Sequence, residues 1–269
     1  LRGDQAQVSL LARGQTLANV RQRGLLYSDA QGEQAWPVPA SDRSSDLGEQ
    51  DWVVLALKAP ALLAMAPHLS ATLAPMLGPK TRVLTAMNGV PWWFFHGLDA
   101  ALASRRWAAV DPDGSLGARM PAARVIGSVL HLGASTPAPG VVRLVTPARI
   151  IIGEPTGGTS ARCDQAIAAF ERAGFVTEHS TRIQQDAWFK LWGNMTMNPV
   201  SAITGATGDR MLDDDLVRNF CSAAMVEAAA IGAKIGCVID QDPEARHDLV
   251  HEAEHVECQE TRVLREAEQ

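Results

Sequence analysis

The chain has few cysteines, and their spacing suggests no pairing. Its 269 residues include four, Cys163, Cys221, Cys237 and Cys258, with no C-x-x-C arrangement. Four widely spaced cysteines cannot staple a chain of this size, so a disulfide-rich secreted scaffold is excluded. Their scarcity instead predicts reduced thiols and a cytoplasmic protein.

The sequence also lacks a surplus of positive charge and any long apolar run. The net charge is −6 and the pI is near 5.6. Nucleic-acid binding needs a basic face or stripe, so nucleic acid is not expected as a main partner, although a local basic pocket for one phosphate stays open. No stretch approaches the ~20 uninterrupted apolar residues of a membrane span. We therefore expect neither a membrane partner nor a signal peptide.

What is present is the composition of a globular protein. Hydrophobic residues make up 46% of the chain and charged residues 20%. At this length the chain can form one large domain or two ordinary ones.

The first half alternates strand and helix patterns. Buried-strand patterns cover residues 7–12, 51–58 and 82–87, and helical patterns cover 16–23 and 60–77. This rhythm predicts βαβ units and a doubly wound α/β sheet. The run Asp51 to Lys58 is apolar almost throughout, which predicts burial on both faces, as in a parallel sheet.

The character of the sequence changes near residue 180. Before it, short strands are predicted at 24–27, 35–40, 125–132, 141–145, 150–153 and 175–178, with helices at 92–105 and 160–173. From Ile183 onward only helical patterns are found. We therefore predict an α/β domain over 1–180 and an all-α domain over 181–269.

Three polar side chains follow predicted strands, namely Arg13, Lys58 and Asn88. Ligands of doubly wound sheets collect at the carboxyl ends of strands, and an Arg there can pair with the 2′-phosphate of a dinucleotide. Each residue also has a plain alternative. Arg13 could be a surface residue before a turn glycine, Lys58 could extend into solvent, and Asn88-Gly89 could simply form a turn.

The segment Asp186 to Thr204 carries a polar stripe on an apolar helix. Lys190, Asn194 and Asn198 are four residues apart and therefore share one face. Buried polar groups need partners, and a ligand could supply them. The alternative is a solvated lysine and two asparagines satisfied by neighbouring loops.

The string K-L-W-x-N-x-x-x-N-P-x-S-A-I-T, residues 190–204, resembles the substrate helix of the ketopantoate reductases, also called 2-dehydropantoate 2-reductases. The resemblance implies a Rossmann-like NADP-binding domain, a helical domain for substrate binding and dimerisation, and an active site in the cleft between them. It implies NADPH-dependent reduction of a 2-keto acid, most simply ketopantoate to (R)-pantoate in coenzyme A biosynthesis.

The resemblance also implies a role for each site residue. Lys190 would be the general acid, and Asn194 and Asn198 would hold the substrate. Arg13, Lys58 and Asn88 would contact the cofactor, the Arg and Lys through charge and the Asn near the nicotinamide ribose. No metal is implied, and a homodimer is compatible with the helical second domain.

Both ends of the chain depart from the family pattern. The resemblance runs from about Gln7 to Pro243, and no two of the 22 glycines are spaced as G-x-G, so the phosphate-binding G-x-G-x-x-G turn is missing. The S-M-L-Q-D segment of the family is not found after Arg246, so no residue is carried over from it. The alternative function is therefore that of a truncated or degenerate relative that is not catalytic and binds no cofactor.

The C-terminal segment contains a match to the zinc motif H-E-x-x-H, at His251, Glu252 and His255. Its flanks are charged, whereas a buried metal helix would be apolar. A zinc hydrolase is therefore a remote alternative, and coincidence in a segment rich in Glu and His is the preferred interpretation.

Overall fold

The computed structural model describes residues 6–65, 68–105 and 107–248. The strands in this part are β1 (Leu10–Leu11), β2 (Leu25–Asp29), β3 (Gly32–Trp36), β4 (Ala40–Ser41), β5 (Trp52–Leu55), β6 (Arg82–Thr85), β7 (Val125–His131), β8 (Ala134–Ser135), β9 (Val141–Leu144), β10 (Arg149–Gly153) and β11 (Val176–Ser180). The α-helices with both ends described are α1 (Gly14–Arg23), α2 (Ala59–Met65), α3 (Leu69–Leu73), α4 (Ala100–Ala103), α5 (Ser115–Arg119), α6 (Ala161–Arg172), α7 (Ile183–Thr204), α8 (Gly208–Leu212) and α9 (Asp215–Lys234). Residues 243–248 are also helical.

The chain divides into two compact units, residues 1–186 and 187–269. The described strands all belong to the first unit, whereas α8, α9 and most of α7 belong to the second. An α/β unit followed by an all-α unit confirms the predicted fold class. The predicted domain boundary near residue 180 falls just before α7.

The largest sheet of the first unit has five strands in the order β11-β10-β7-β6-β5. β5, β6 and β7 are parallel to one another, β10 runs antiparallel to β7, and β11 is parallel to β10. Leu84, Ile126 and Ile152 are fully buried at its centre, against Cys163 and Ala166 of α6. Burying each of the leucine and isoleucine side chains contributes about 1.5–3 kcal/mol to the free energy of folding. This layer is therefore a major part of the core of the unit.

The predicted burial of the run 51–58 on both faces is wrong. Only Trp52–Leu55 form a strand, and Val54 is 48% exposed. β5 is the last strand of its sheet, whereas all residues from 125 to 129 in the central strand β7 are buried. The apolar run alone did not reveal which strand would be central.

The first strand is also shorter than predicted. β1 has two residues where the sequence predicts 7–12, and it pairs in parallel with β4 in a separate two-stranded sheet. A third sheet has the order β3-β2-β9-β8.

Two predicted helices are interrupted. The predicted helix 60–77 becomes α2, α3 and a 3-10 turn at Ala74–Met76, with Pro75 in its first turn, where the missing N–H is tolerated. The predicted helix 92–105 becomes a 3-10 turn at Phe94–Gly97 followed by α4. The Asp99 side chain accepts a hydrogen bond from the N–H of Ala101, so Asp99 caps α4 and starts a new helix inside the predicted one.

In the second unit, α7 is held by α9 and α8. Trp192 is 1% exposed, packs on Met225 and Ala228, and its Nε1 donates a 2.8 Å hydrogen bond to the Met225 carbonyl. Further along α7, Met197 packs on α8. Because these contacts fix the rotation of α7, they also fix the direction of its polar stripe.

α9 exposes large apolar side chains, among them Leu216 and Phe220. By length and composition it could also cross a membrane, although it contains Arg218 and Glu227. A single helix of this kind is weak support for a membrane protein. The expected lack of a membrane partner therefore stays a prediction.

Candidate active site

The sheet brings two of the predicted cofactor residues to one edge. β5 and β6 are adjacent and parallel, and Lys58 and Asn88 follow their carboxyl ends. Lys58 is exposed, and its carbonyl accepts hydrogen bonds from the N–H groups at the start of α2, so its backbone is fixed while its ammonium faces solvent. This edge is where doubly wound sheets bind their ligands.

The Asn88 carboxamide has a structural partner. Its Nδ2 donates to the carbonyl of Leu130 (3.1 Å), and its Oδ1 accepts from the N–H of Leu130 (2.9 Å). The side chain thereby continues the β6–β7 ladder beyond Thr85. Gly89 has φ +97°, so the chain turns directly afterwards. One N–H and one lone pair of the exposed carboxamide are left for a ligand.

Arg13 lies in the connection between β1 and α1, so it follows a strand of the two-stranded sheet and not one of the five-stranded sheet. It is exposed and is the N-cap residue of α1, which has no side-chain cap and no acidic residue in its first turn. The free N–H groups of a helix start carry partial positive charge. Together with the guanidinium they form a local positive site of the kind that binds phosphate.

The polar stripe of α7 is less exposed to solvent. Lys190 and Asn194 are half-buried, and Asn198 is exposed. Burial and the positive charge of Arg246 lower the pKa of Lys190. Within the part of the chain that the structure describes, the side chains of Asn194 and Asn198 make no hydrogen bond. The stripe therefore has hydrogen-bonding capacity that the described residues leave unused.

A cavity of about 400 Å³ lies beside this stripe, entirely within the second unit. A cavity of this volume can hold a small carboxylic acid. The residues that line it are Gly193, Asn194, Met197, Asn198, Ser201, Gly205, Ala206, Thr207, Gly208, Met211, Met225, Arg246 and His247.

Among the lining residues that were not predicted as site residues are two with titratable side chains, Arg246 and His247. His247 is 1% exposed, and among the described residues its Nε2 has no hydrogen-bond partner. Burial lowers the pKa of His247, which favours the neutral imidazole. The one feature of the sequence that indicates a close neighbour at this point of α7 is Gly193. A glycine inside a helix costs roughly 0.5–1 kcal/mol relative to alanine, and here it leaves room for the Arg246 side chain.

The structure thus groups the predicted residues in three places. Lys190, Asn194 and Asn198 share one stripe, Lys58 and Asn88 share one sheet edge, and Arg13 follows a strand of another sheet. The H-E-x-x-H segment lies outside the described residues. Among the described ones, no group of three or more His, Cys, Asp or Glu side chains could hold a metal.

Comparison with protein families matches most of the chain. The model described as ketopantoate reductase PanE/ApbA matches residues 1–157, and the model of the C-terminal part of the same family matches residues 182–267. These matches extend beyond the range Gln7 to Pro243 over which the resemblance was noted.

Individual relatives agree with this. A 2-dehydropantoate 2-reductase from Mesorhizobium japonicum is 40% identical over 85% of this chain and 69% of its own length. A crystal structure from Ralstonia solanacearum MolK2, provisionally described as a ketopantoate reductase, is 50% identical over 90% of this chain and 74% of that one, with a TM-score of 0.85. The 2-dehydropantoate 2-reductase from Geobacter metallireducens GS-15 is 21% identical over 93% of this chain and 76% of that one, with a TM-score of 0.76, and it supports the fold alone.

Proposed function

The chain belongs to the ketopantoate reductase family, which confirms the resemblance noted in its sequence, and we propose that it reduces 2-dehydropantoate to (R)-pantoate with NADPH. The observation that carries this proposal is the α7 stripe. Asn194 and Asn198, whose side chains make no hydrogen bond among the described residues, line a cavity of substrate size, and the half-buried Lys190 stands four residues before Asn194 on the same helix. The enzyme class, an oxidoreductase of the 2-dehydropantoate 2-reductase type, follows from the family.

We assign cofactor binding to the first unit. NADPH supplies the hydride for the carbonyl carbon. Arg13 and the uncapped start of α1 suit its 2′-phosphate, because both present positive charge that no described acidic group neutralises. Lys58 and the free part of the Asn88 carboxamide suit the polar groups of the cofactor at the sheet edge. These assignments support NADPH over NADH.

Lys190 is the proton donor in this proposal. Reduction leaves negative charge on the carbonyl oxygen, and an ammonium group beside it both polarises the C=O bond and delivers the proton. Burial lowers the pKa of Lys190, so its proton is released more readily than that of a solvated lysine. The neutral Nζ then regains a proton from solvent before the next turnover.

Asn194 and Asn198 orient the substrate. Each carboxamide offers both a donor and an acceptor, which suits the hydroxyl and carbonyl oxygens of ketopantoate. Two contacts one helical turn apart hold the keto group in a single orientation relative to Lys190, and orientation of this kind accounts for much of enzymatic rate enhancement.

The test is turnover by the purified full chain. NADPH oxidation is followed by absorbance in the presence of ketopantoate, and pantoate is identified by mass spectrometry. We expect turnover with NADPH and a preference for it over NADH. Quenching of tryptophan fluorescence measures cofactor binding separately. Absence of both binding and turnover would favour the alternative of a relative that is not catalytic. The cytoplasmic location and a homodimer stay predictions.

A further inference from the structure

Arg246 lies on the cavity wall next to the α7 stripe. Its guanidinium packs over Gly193, since a Cβ atom placed on that glycine would be 3.3 Å from Nε and 3.5 Å from Nη2 of Arg246. Gly193 directly precedes Asn194 and stands three residues after Lys190 on the helix. A planar cation is therefore held against the part of α7 that carries the proposed catalytic residues.

Glu244 and Asp248, the acidic residues two positions before and after Arg246, pair with another arginine. Arg218 of α9 pairs with Glu244 (2.7 Å) and with Asp248 (2.8 Å). Within the described part of the chain, Arg246 itself forms no ion pair. Its charge instead acts on Lys190, another cation. The two cations repel each other, and an anion bound in the cavity that Arg246 lines would relieve that repulsion.

We infer that Arg246 binds the carboxylate of the substrate, an inference that rests on the proposed reduction of a 2-keto acid. A guanidinium matches a carboxylate with two parallel hydrogen bonds, which a neutral carboxamide cannot reproduce. In a 2-keto acid the carboxylate and the keto carbon are directly bonded. The groups that contact them must therefore lie close together in the protein. Arg246 meets this condition because it packs over Gly193, three residues after Lys190 on α7.

This arrangement would couple binding to catalysis. A bound carboxylate offsets the charge of Arg246, so the repulsion that disfavours the Lys190 ammonium falls when substrate is present. The substrate would thereby help to keep its own proton donor protonated. A neutral analogue such as the methyl ester of ketopantoate would bring no such offset.

The test compares Arg246→Gln with the control Arg210→Gln. Arg210 is an exposed residue of α8 in the same unit and does not line the cavity, so the control makes the same change in charge. KM and kcat are measured for ketopantoate and for its methyl ester. For Arg246→Gln we expect the KM for the acid to rise about 10- to 100-fold, because a charge-assisted bidentate contact is lost. The KM for the ester should change little, and the control should behave as wild type.

A second variant keeps the test informative if Arg246→Gln misfolds. If circular dichroism shows that Arg246→Gln does not fold, Arg246→Lys is used instead, which keeps the charge but loses the bidentate geometry. For it we expect a smaller rise in the KM for the acid, again with little change for the ester. If the KM values for the acid and the ester rise equally, or if neither rises, the inference is overturned and the proposed function stays intact.

Calorimetric binding of pantoate separates this inference from the proposed function. If the wild-type chain shows no turnover, the proposed function fails. Pantoate binding that is lost in Arg246→Gln and kept in Arg210→Gln would still support the carboxylate site. Binding that Arg246→Gln leaves unchanged, or no binding to the wild-type chain, would overturn it.

Discussion

The two sets of proposed site residues differ in their exposure to water. Arg13, Lys58 and Asn88 of the first unit are exposed, whereas Lys190 and Asn194 of the second unit are half-buried and only Asn198 of that set is exposed. An exposed charge keeps its solvation and contributes mainly to recognition, and its contacts are screened by salt. A half-buried cation has lost part of its solvation, so its proton affinity changes. The first set is therefore suited to binding a charged cofactor and the second to proton transfer.

The largest effect is expected for Lys190→Ala, which tests the assignment of proton transfer to the second unit. Loss of a positioned general acid lowers kcat by about 10²- to 10⁴-fold, whereas cofactor binding should be unchanged because no cofactor contact is assigned to this unit. Lys234→Ala, at the exposed end of α9, is the matched control and should keep full activity. Steady-state kinetics and fluorescence titration with NADPH give the two readouts. If kcat fell less than tenfold, the half-buried lysine would not be the proton donor.

A smaller effect is expected for Arg13→Ala. The KM for NADPH should rise about 10- to 100-fold through loss of a charge-assisted phosphate contact, and the KM for NADH should stay the same. Arg23→Ala, at the exposed far end of α1, controls for the change in charge. Equal weakening of NADH and NADPH binding would show that Arg13 stabilises the unit rather than recognising the 2′-phosphate.

Local patterns predicted the order of most elements because they depend on neighbours in sequence. The βαβ rhythm predicted β5, α2 and β6, and the four-residue spacing placed Lys190, Asn194 and Asn198 on one helix. Some helix interruptions also have causes in the local sequence. Asp99, which caps α4, is one of them.

Features that depend on distant contacts could not be predicted in this way. Asn88 was interpreted as a turn residue or a ligand contact, yet it bonds to the backbone of Leu130, 42 residues away. The exposure of Val54 follows from the order of strands in the sheet, which an apolar run does not encode. The packing of Arg246 over Gly193 brings the end of the described chain onto α7. In the sequence, only the glycine inside the predicted helix indicates that another side chain packs there.

The smallest expected effect is a shift in the pH dependence of kcat/KM. Burial and the charge of Arg246 both disfavour the ammonium form, so the pKa of Lys190 lies below that of an ordinary lysine. Reduction uses the ammonium form. We therefore expect activity to be constant on the acidic side of this pKa and to fall as the pH rises through it.

Arg246→Gln and Arg13→Ala should affect this pH profile differently. Arg246→Gln removes one of the two causes of the lowered pKa of Lys190, so the falling limb of kcat/KM should move to higher pH. Arg13→Ala, which removes an exposed charge of the other unit, should leave the limb in place even though it weakens NADPH binding. A limb that moved with Arg13→Ala and not with Arg246→Gln would contradict the assignment of proton transfer to the second unit. Both changes remove one positive charge from the chain. A shift of the limb with Arg246→Gln alone therefore distinguishes a charge that lowers the pKa of Lys190 from one that only attracts the cofactor.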